Sequence, residues 1–339
     1  MPPTAPPPMT RRPIVALLGG IYHADAARTL REHADVIAVD NPQPAEVRRA
    51  LEHAQGALVR YPVRIDEDIL RHAPHLCLVA SSGRGTDSID VQACTRNQVA
   101  VMNNPGLGTR PVSEHALTMM LALSRRLLEC NRAVREPDIW QRRSQLDVMD
   151  LQGRTLGIVG LGLIGSEMAR KCTLALGMQV LAHDPYVSSA KAERLGVRLV
   201  GSLDELLPHC DVVSMHCELN DETRGMIGEA QLRLMKPTAF LVNTSRGKVV
   251  QQAALVDALS RRRIAGAALD VFEEEPLTPD CPLFTLPNVI LSPHIAGLSN
   301  DALYQLAHSA VDQLLAGLRG EQPAHLVNPA VWQAAKARL

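Results

Sequence analysis

Residues 155–159 (TLGIV) form a short apolar run that passes directly into Gly160-Leu161-Gly162-Leu163-Ile164-Gly165, and the apolar stretch EMARKCTLAL follows. Few folds accept this order. A buried strand has to end in a turn tight enough to start a helix at once, and glycines spaced G-x-G-x-x-G meet that need. Gly160 permits the turn, Gly162 lets the backbone approach a pyrophosphate, and Gly165 lets helix and strand pack closely. The first N–H groups of the helix then face an anion, which the helix macrodipole favours. Asp184 arrives nineteen residues after Gly165, at the end of the next predicted strand, 179–182. A carboxylate there accepts hydrogen bonds from the ribose hydroxyls and repels a 2′-phosphate. No arginine follows closely in HDPYVSS, so NAD is expected rather than NADP.

The same grammar runs through the rest of the chain. Apolar runs at 14–18, 57–59, 76–80 and 99–102 precede the glycine turn, and others at 198–200, 211–215, 239–243, 266–269 and 288–291 follow it. Helical or turn sequence separates them. Short apolar strands alternating with helices indicate parallel α/β units. A length of 339 residues suits two such domains. Only 3% of residues are aromatic against 46% hydrophobic, so the core has to be built from Ala, Val, Leu and Ile. A long apolar helix is predicted over 112–130, an Arg-rich connector over 131–150 and a last helix over 300–318. The expected fold class is α/β with two doubly wound parallel sheets.

A formal charge of −1 gives no general attraction to nucleic acid or to an acidic membrane. No apolar run reaches the roughly 18 residues that cross a bilayer. The opening MPPTAPPPMTRRP is Pro-rich without an apolar core, and 1–13 is expected to be a disordered tail rather than a signal peptide. Seven scattered cysteines form no C-x-x-C pair and are read as reduced thiols of a cytoplasmic protein. No metal-ligand pattern is present.

Chemistry beside a nicotinamide needs a base for a hydroxyl proton, a cation for a carboxylate and a group that orients the base. In a doubly wound sheet these belong at strand C-termini. Arg246 follows strand 239–243 in NTSRG, Glu273–Glu275 follow strand 266–271 in ALDVFEEEP, and His294 follows strand 288–291 in SPHIAG. Singly, each suits a solvated loop. Their joint placement after three successive strands points to a site.

GLGLIG, HDP, NTSRGKVV, ALDVFEEEP and SPHIAG, in that order, resemble the D-isomer-specific 2-hydroxyacid dehydrogenases, as do SSGRGTDSID and NNPGLGTRPVSEHAL upstream. The resemblance implies a Rossmann NAD-binding domain (108–296) inserted into a flavodoxin-like substrate domain (14–107 and 297–339). It implies hydride transfer between the nicotinamide and C2 of a small D-2-hydroxy or 2-oxo acid, of the 3-phosphoglycerate, hydroxypyruvate or glyoxylate type. His294 would be the acid–base group, Glu275 its partner, and Arg246 the ligand of the substrate carboxylate and C2 oxygen. Asp270 would meet the nicotinamide carboxamide. Gly160, Gly162, Leu163, Ile164, Gly165, Asp184, Thr244, Ser245, Ala296 and Gly297 would line the cofactor. Backbone at Gly83-Arg84-Gly85 would hold the carboxylate in a nest that uses glycine's freedom. The 112–130 helix would build a homodimer interface.

The chain departs from the family pattern at Gly108 and Pro111, where Asn and Ser are usual, and at Glu218, which replaces the proline of H-x-P-L in His216-Cys217-Glu218-Leu219. His216 is either near the cofactor or a structural strand-end residue. Arg60, Arg84 and Arg142 offer charge for a phosphorylated or dicarboxylic substrate, and the segment around Trp140 and Arg142 is expected to approach a neighbouring subunit. The C-terminal regulatory domain of longer phosphoglycerate dehydrogenases is not expected after residue 330. Formate enzymes carry glutamine in place of Glu275, which argues against formate. Phosphite oxidation and a non-catalytic NAD-sensing role, as in related corepressors, stay open at this point.

Overall fold

The computed structural model describes residues 12–339. The tail expected at 1–13 therefore falls largely outside the described residues; at its end the Pro13 carbonyl accepts a hydrogen bond from Asp35 N at 2.9 Å. The chain divides into two compact units, one joining the residues up to Leu107 to Asn300–Leu339, the other Gly108–Ser299.

In the first unit β1 (Ile14–Leu18), β2 (Asp35–Val39), β3 (Gly56–Val59), β4 (Leu78–Ser81) and β5 (Ala100–Met102) form one parallel sheet in the order β2-β1-β3-β4-β5. This is a flavodoxin-like doubly wound order. The sequence pattern does not reveal β2. It is an edge strand that pairs only with β1, and its DVIAV side chains are half-buried or exposed, so the continuous apolar run of an inner strand is absent. The helix Asn300–Leu318 lies on this sheet: a Cβ on Gly56 would come 3.1 Å from Leu314 Cδ1. Beyond it, buried Asn328 accepts from Val101 N at 2.8 Å and donates to Val99 O and Thr95 Oγ1, both at 3.0 Å.

In the second unit β6 (Thr155–Val159), β7 (Gln179–His183), β8 (Arg198–Leu199), β9 (Val212–Met215), β10 (Phe240–Asn243), β11 (Gly266–Leu269) and β12 (Val289–Leu291) are all parallel, in the order β12-β11-β10-β9-β6-β7-β8. The strand order reverses between β6 and β9, the switch point at which Rossmann sheets bind dinucleotides.

The single helix expected over 112–130 is two. Thr109–Ser124 ends where Met149 N takes the Ser124 carbonyl at 2.8 Å, and Arg126 turns left-handed (φ 48°) before a short helix, Leu127–Ala133. An outside N–H on that carbonyl stops the ladder. The longer helix also turns its apolar face inward: Ala116, Met119, Met120 and Leu123 pack with Ile158 and Met168 of its own unit. What stays exposed is Leu127, Leu128 and Val134 on and after the short helix.

All seven cysteines are free thiols. Burial pushes Cys94, Cys172 and Cys210 up to about 12 and Cys217 to about 11, which suits inert packing residues rather than nucleophiles. Among the described residues no helix is long and apolar enough to cross a membrane.

Replacing Asn328 by Ala leaves the Val101 N–H and Val99 carbonyl buried without partners, a loss of about 2 kcal/mol. The denaturant midpoint of Asn328→Ala is expected to fall accordingly; an unchanged midpoint contradicts the stitching role given to this residue.

Candidate active site

Strands β10, β11 and β12 are neighbours, so their C-terminal turns are neighbours too. Buried Asn243 builds the first turn. Its Oδ1 accepts from Ser245 N and Ser245 Oγ, both at 3.0 Å, and its Nδ2 donates to Arg246 O at 3.0 Å. Thr244 and Ser245 are buried in that turn and Arg246 emerges half-buried. Gly247 carries no signal of its own in the sequence. A Cβ there would lie 1.8 Å from the Phe272 backbone carbon, so only glycine lets this turn lean on the chain that carries Glu275.

Glu275 and His294 are paired. His294 Nδ1 lies 2.7 Å from Glu275 Oε2, and Glu275 Oε1 accepts from Phe272 N at 2.9 Å. Burial works to raise the Glu275 pKa, yet the His294 bond and charge, the Phe272 N–H and the Arg246 charge together hold it below the usual carboxylate range. The Arg246 charge thus acts on the Glu275 carboxylate. Of the three adjacent glutamates, Glu273 instead accepts from Gln252 N at 3.1 Å.

Asp270 is fully buried. Its carboxylate accepts from Ile295 N (2.9 Å), Ala296 N (2.8 Å) and Ser292 Oγ (2.5 Å), closing the loop on which His294 sits. Gly297 follows at the end of that loop, its absent Cβ 3.8 Å from Val112.

The glycine turn fits a dinucleotide. A Cβ on Gly160 (φ 92°) would meet Cys217 N at 2.6 Å across the switch point, and one on Gly165 would meet Gly160 O at 2.1 Å. Gly162 faces open space, and no side chain caps the Leu163–Leu176 helix it begins. The exposed N-terminus, with Leu163 exposed and Ile164 half-buried, therefore offers its N–H groups and positive dipole end to a diphosphate. Asp184 Oδ2 accepts from Leu161 N at 2.7 Å and Oδ1 from Tyr186 N at 3.0 Å, which fixes the carboxylate beside the turn and keeps lone pairs for hydroxyls.

In the other unit, the loop after β4 is pinned by side chains: Ser81 Oγ donates to Gly85 O at 2.8 Å, Asn104 Nδ2 to Ser81 O at 2.9 Å, and Asn103 Nδ2 to Arg84 O at 2.8 Å. Neither Gly83 nor Gly85 has a positive φ. Open space surrounds the missing Cβ of Gly83. The Arg60 guanidinium lies 4.5 Å from the Tyr22 ring centroid, and exposed Arg142 is paired with Glu136 (2.6 Å) and Asp138 (2.9 Å).

His216 closes β9 in the interior, with Nε2 2.9 Å from Ser214 Oγ. Burial pushes its pKa from 6.5 down to about 4. The unfolded chain takes up this proton near pH 6.5 and the folded chain only near 4, so acid favours unfolding across that window, by about 3 kcal/mol in full. Thermal unfolding from pH 7 to 4 is expected to show a shallower loss of Tm in His216→Gln than in the parent; parallel slopes contradict a neutral buried imidazole.

Residues 117–296 match the sequence family described as "D-isomer specific 2-hydroxyacid dehydrogenase, NAD binding domain". A glyoxylate reductase from Aeropyrum pernix is 40% identical over 326 residues, 94% of this chain and 96% of that one. A D-3-phosphoglycerate dehydrogenase from Archaeoglobus fulgidus is 37% identical over 84% of this chain and 53% of its own, so this chain spans about half that enzyme's length. Among solved structures, the apo form of Rhodotorula graminis D-mandelate dehydrogenase is similar with a TM-score of 0.84 and 28% identity, over 94% of this chain and 98% of that one. The chain belongs to the D-isomer-specific 2-hydroxyacid dehydrogenase family and is an NAD-dependent oxidoreductase of 2-hydroxy and 2-oxo acids.

Proposed function

We propose that the chain interconverts a small unphosphorylated 2-oxo acid, of the glyoxylate or hydroxypyruvate type, and its D-2-hydroxy acid, with Arg246, Glu275 and His294 as catalytic residues. The observation that carries the assignment is the 2.7 Å His294–Glu275 pair under the charge of Arg246, on turns that leave adjacent strands. The near full-length match to a glyoxylate reductase supports the substrate class, as does the pairing of Arg142 with its own acidic neighbours.

The bound nicotinamide supplies or accepts the hydride. The protein has to manage charge and a proton. Glu275, ionised throughout the neutral range because its pKa is lowered, accepts the Nδ1–H of His294 and so fixes the tautomer and orientation of the ring. Nε2 is then the nitrogen that exchanges a proton with the C2 oxygen. The carboxylate also stabilises the imidazolium that stands before reduction or after oxidation. Arg246 supplies a planar fork for the substrate carboxylate and polarises the C2 oxygen. In the discontinuous unit, the pinned 81–85 loop is the proposed backbone donor to the substrate carboxylate, and Thr244, Ser245 and the 296–297 backbone are proposed to line the nicotinamide side.

A homodimer built on the Leu127–Ala133 helix is part of this proposal, supported by exposed Leu127, Leu128 and Val134. The seven free thiols support a cytoplasmic setting.

NADH oxidation followed at 340 nm, a general property of that cofactor, is expected to be fastest with glyoxylate or hydroxypyruvate in a panel that includes phosphohydroxypyruvate, pyruvate and bulkier 2-oxo acids. A preference for the phosphorylated acid overturns the substrate assignment. In the same assay His294→Gln is expected to lose about 10²- to 10⁴-fold in kcat, the usual worth of a positioned acid–base group. Arg246→Lys is expected to raise KM for the oxo acid and leave NADH binding unaltered, since it keeps the charge and loses the fork. Wild-type kcat in His294→Gln contradicts the acid–base role.

A further inference from the structure

The geometry points to His115 and Ser292 as positioning residues that hold the loop of His294, an inference resting on the acid–base role proposed for that histidine. His294 adopts a left-handed backbone (φ 54°), which a non-glycine residue keeps only when its surroundings impose it. Its N–H is held by Asp270 O at 2.8 Å and Ser292 O at 3.1 Å. Both acceptors belong to the network around the buried Asp270 carboxylate, which gathers the Ile295 and Ala296 N–H groups as well.

That carboxylate has a third donor, the Ser292 hydroxyl at 2.5 Å. A hydroxyl has one proton. With it committed to Asp270, Ser292 Oγ can only accept from His115 Nε2, 2.9 Å away. His115 must therefore carry its proton on Nε2, and the same nitrogen stands 3.6 Å from Asp270 Oδ1. His115 projects from the Thr109–Ser124 helix, whose Ala116, Met119 and Met120 are fixed in the core. A relay thus runs from a rigid helix through His115, Ser292 and Asp270 to the backbone of His294.

Both residues lie in segments conspicuous in the sequence, VSEHAL and LSPHIAG, without a role in proton or hydride transfer. Their contribution is geometric. A slack loop lets the imidazole wander from its line with Glu275, and misplacing a catalytic group by about 1 Å can cost on the order of 100-fold in rate.

The test compares His115→Leu, Ser292→Ala, the conservative His115→Gln and Ser292→Thr, and His294→Gln as reference, in the full-length protein. Measured are kcat and KM for glyoxylate, NADH affinity by fluorescence titration, and Tm. His115→Leu and Ser292→Ala are expected to lose roughly ten- to a hundredfold in kcat with NADH affinity kept, and the donor-retaining Gln and Thr variants to recover most of it. Ser292→Ala changes little volume, so it remains informative if His115→Leu folds poorly. Full kcat in both disruptive variants beside a dead His294→Gln overturns this proposal and leaves the acid–base reading standing. Full activity in His294→Gln removes the reading on which the proposal rests. A lowered Tm with unchanged kcat makes the relay a packing feature only, and also overturns it.

Discussion

In an all-parallel sheet every strand ends at the same edge, and the site depends on that constraint. Seven parallel strands in the Gly108–Ser299 unit deliver seven C-terminal turns to one side. Arg246, Glu275 and His294 come within reach of each other because β10, β11 and β12 are hydrogen-bonded neighbours, and the glycine turn shares their edge because β6 belongs to the same sheet. Distance along the chain is immaterial; strand order sets distance in space. The reversal between β6 and β9 then leaves Gly160 against the Cys217 backbone, where a Cβ would have no room.

Three close backbone approaches refine this edge. Gly160 meets the chain leaving β9, Gly165 meets the carbonyl of Gly160, and Gly247 meets the chain leaving β11. The first and third bring two strand-end turns closer than side chains would allow, and the second packs a helix onto the turn that starts it. Buried polar groups then fix the turns: Asn243 shapes the one carrying Arg246, and Asp270 shapes the one carrying His294. A buried carboxylate is costly without partners, and Asp270 takes its partners from the loop it organises, so the cost of burial and the order of the loop are one interaction.

The parts legible in the sequence are those whose signal is local. The glycine spacing, the acid at the end of the second strand and the polar residues after apolar runs all lie within a few residues of the elements they serve. Sequence pattern alone leaves three glutamates open; the resemblance points to Glu275, whose Oε2 lies 2.7 Å from His294 Nδ1. What escaped depends on the third dimension. The strand Asp35–Val39 lacks an inner strand's pattern because it has one neighbour. The helix break at Arg126 follows from Met149 taking the Ser124 carbonyl, a contact no local pattern encodes. Gly247 is informative only once Phe272 is seen against it. In the Gly83–Gly85 segment, hydrogen bonds from Ser81, Asn103 and Asn104 hold the loop, and no local pattern encodes them.

In the proposed reaction this edge passes a hydride to C2 while His294 supplies the proton to the oxygen. Reduction of hydroxypyruvate with NADH carrying two deuterons at C4 of the nicotinamide tests it directly, with the product analysed by mass spectrometry and chiral chromatography. Deuterium bonded to C2 of the D-hydroxy acid, and none at the hydroxyl, is the expected result. Deuterium missing from C2, or an L product, would contradict it.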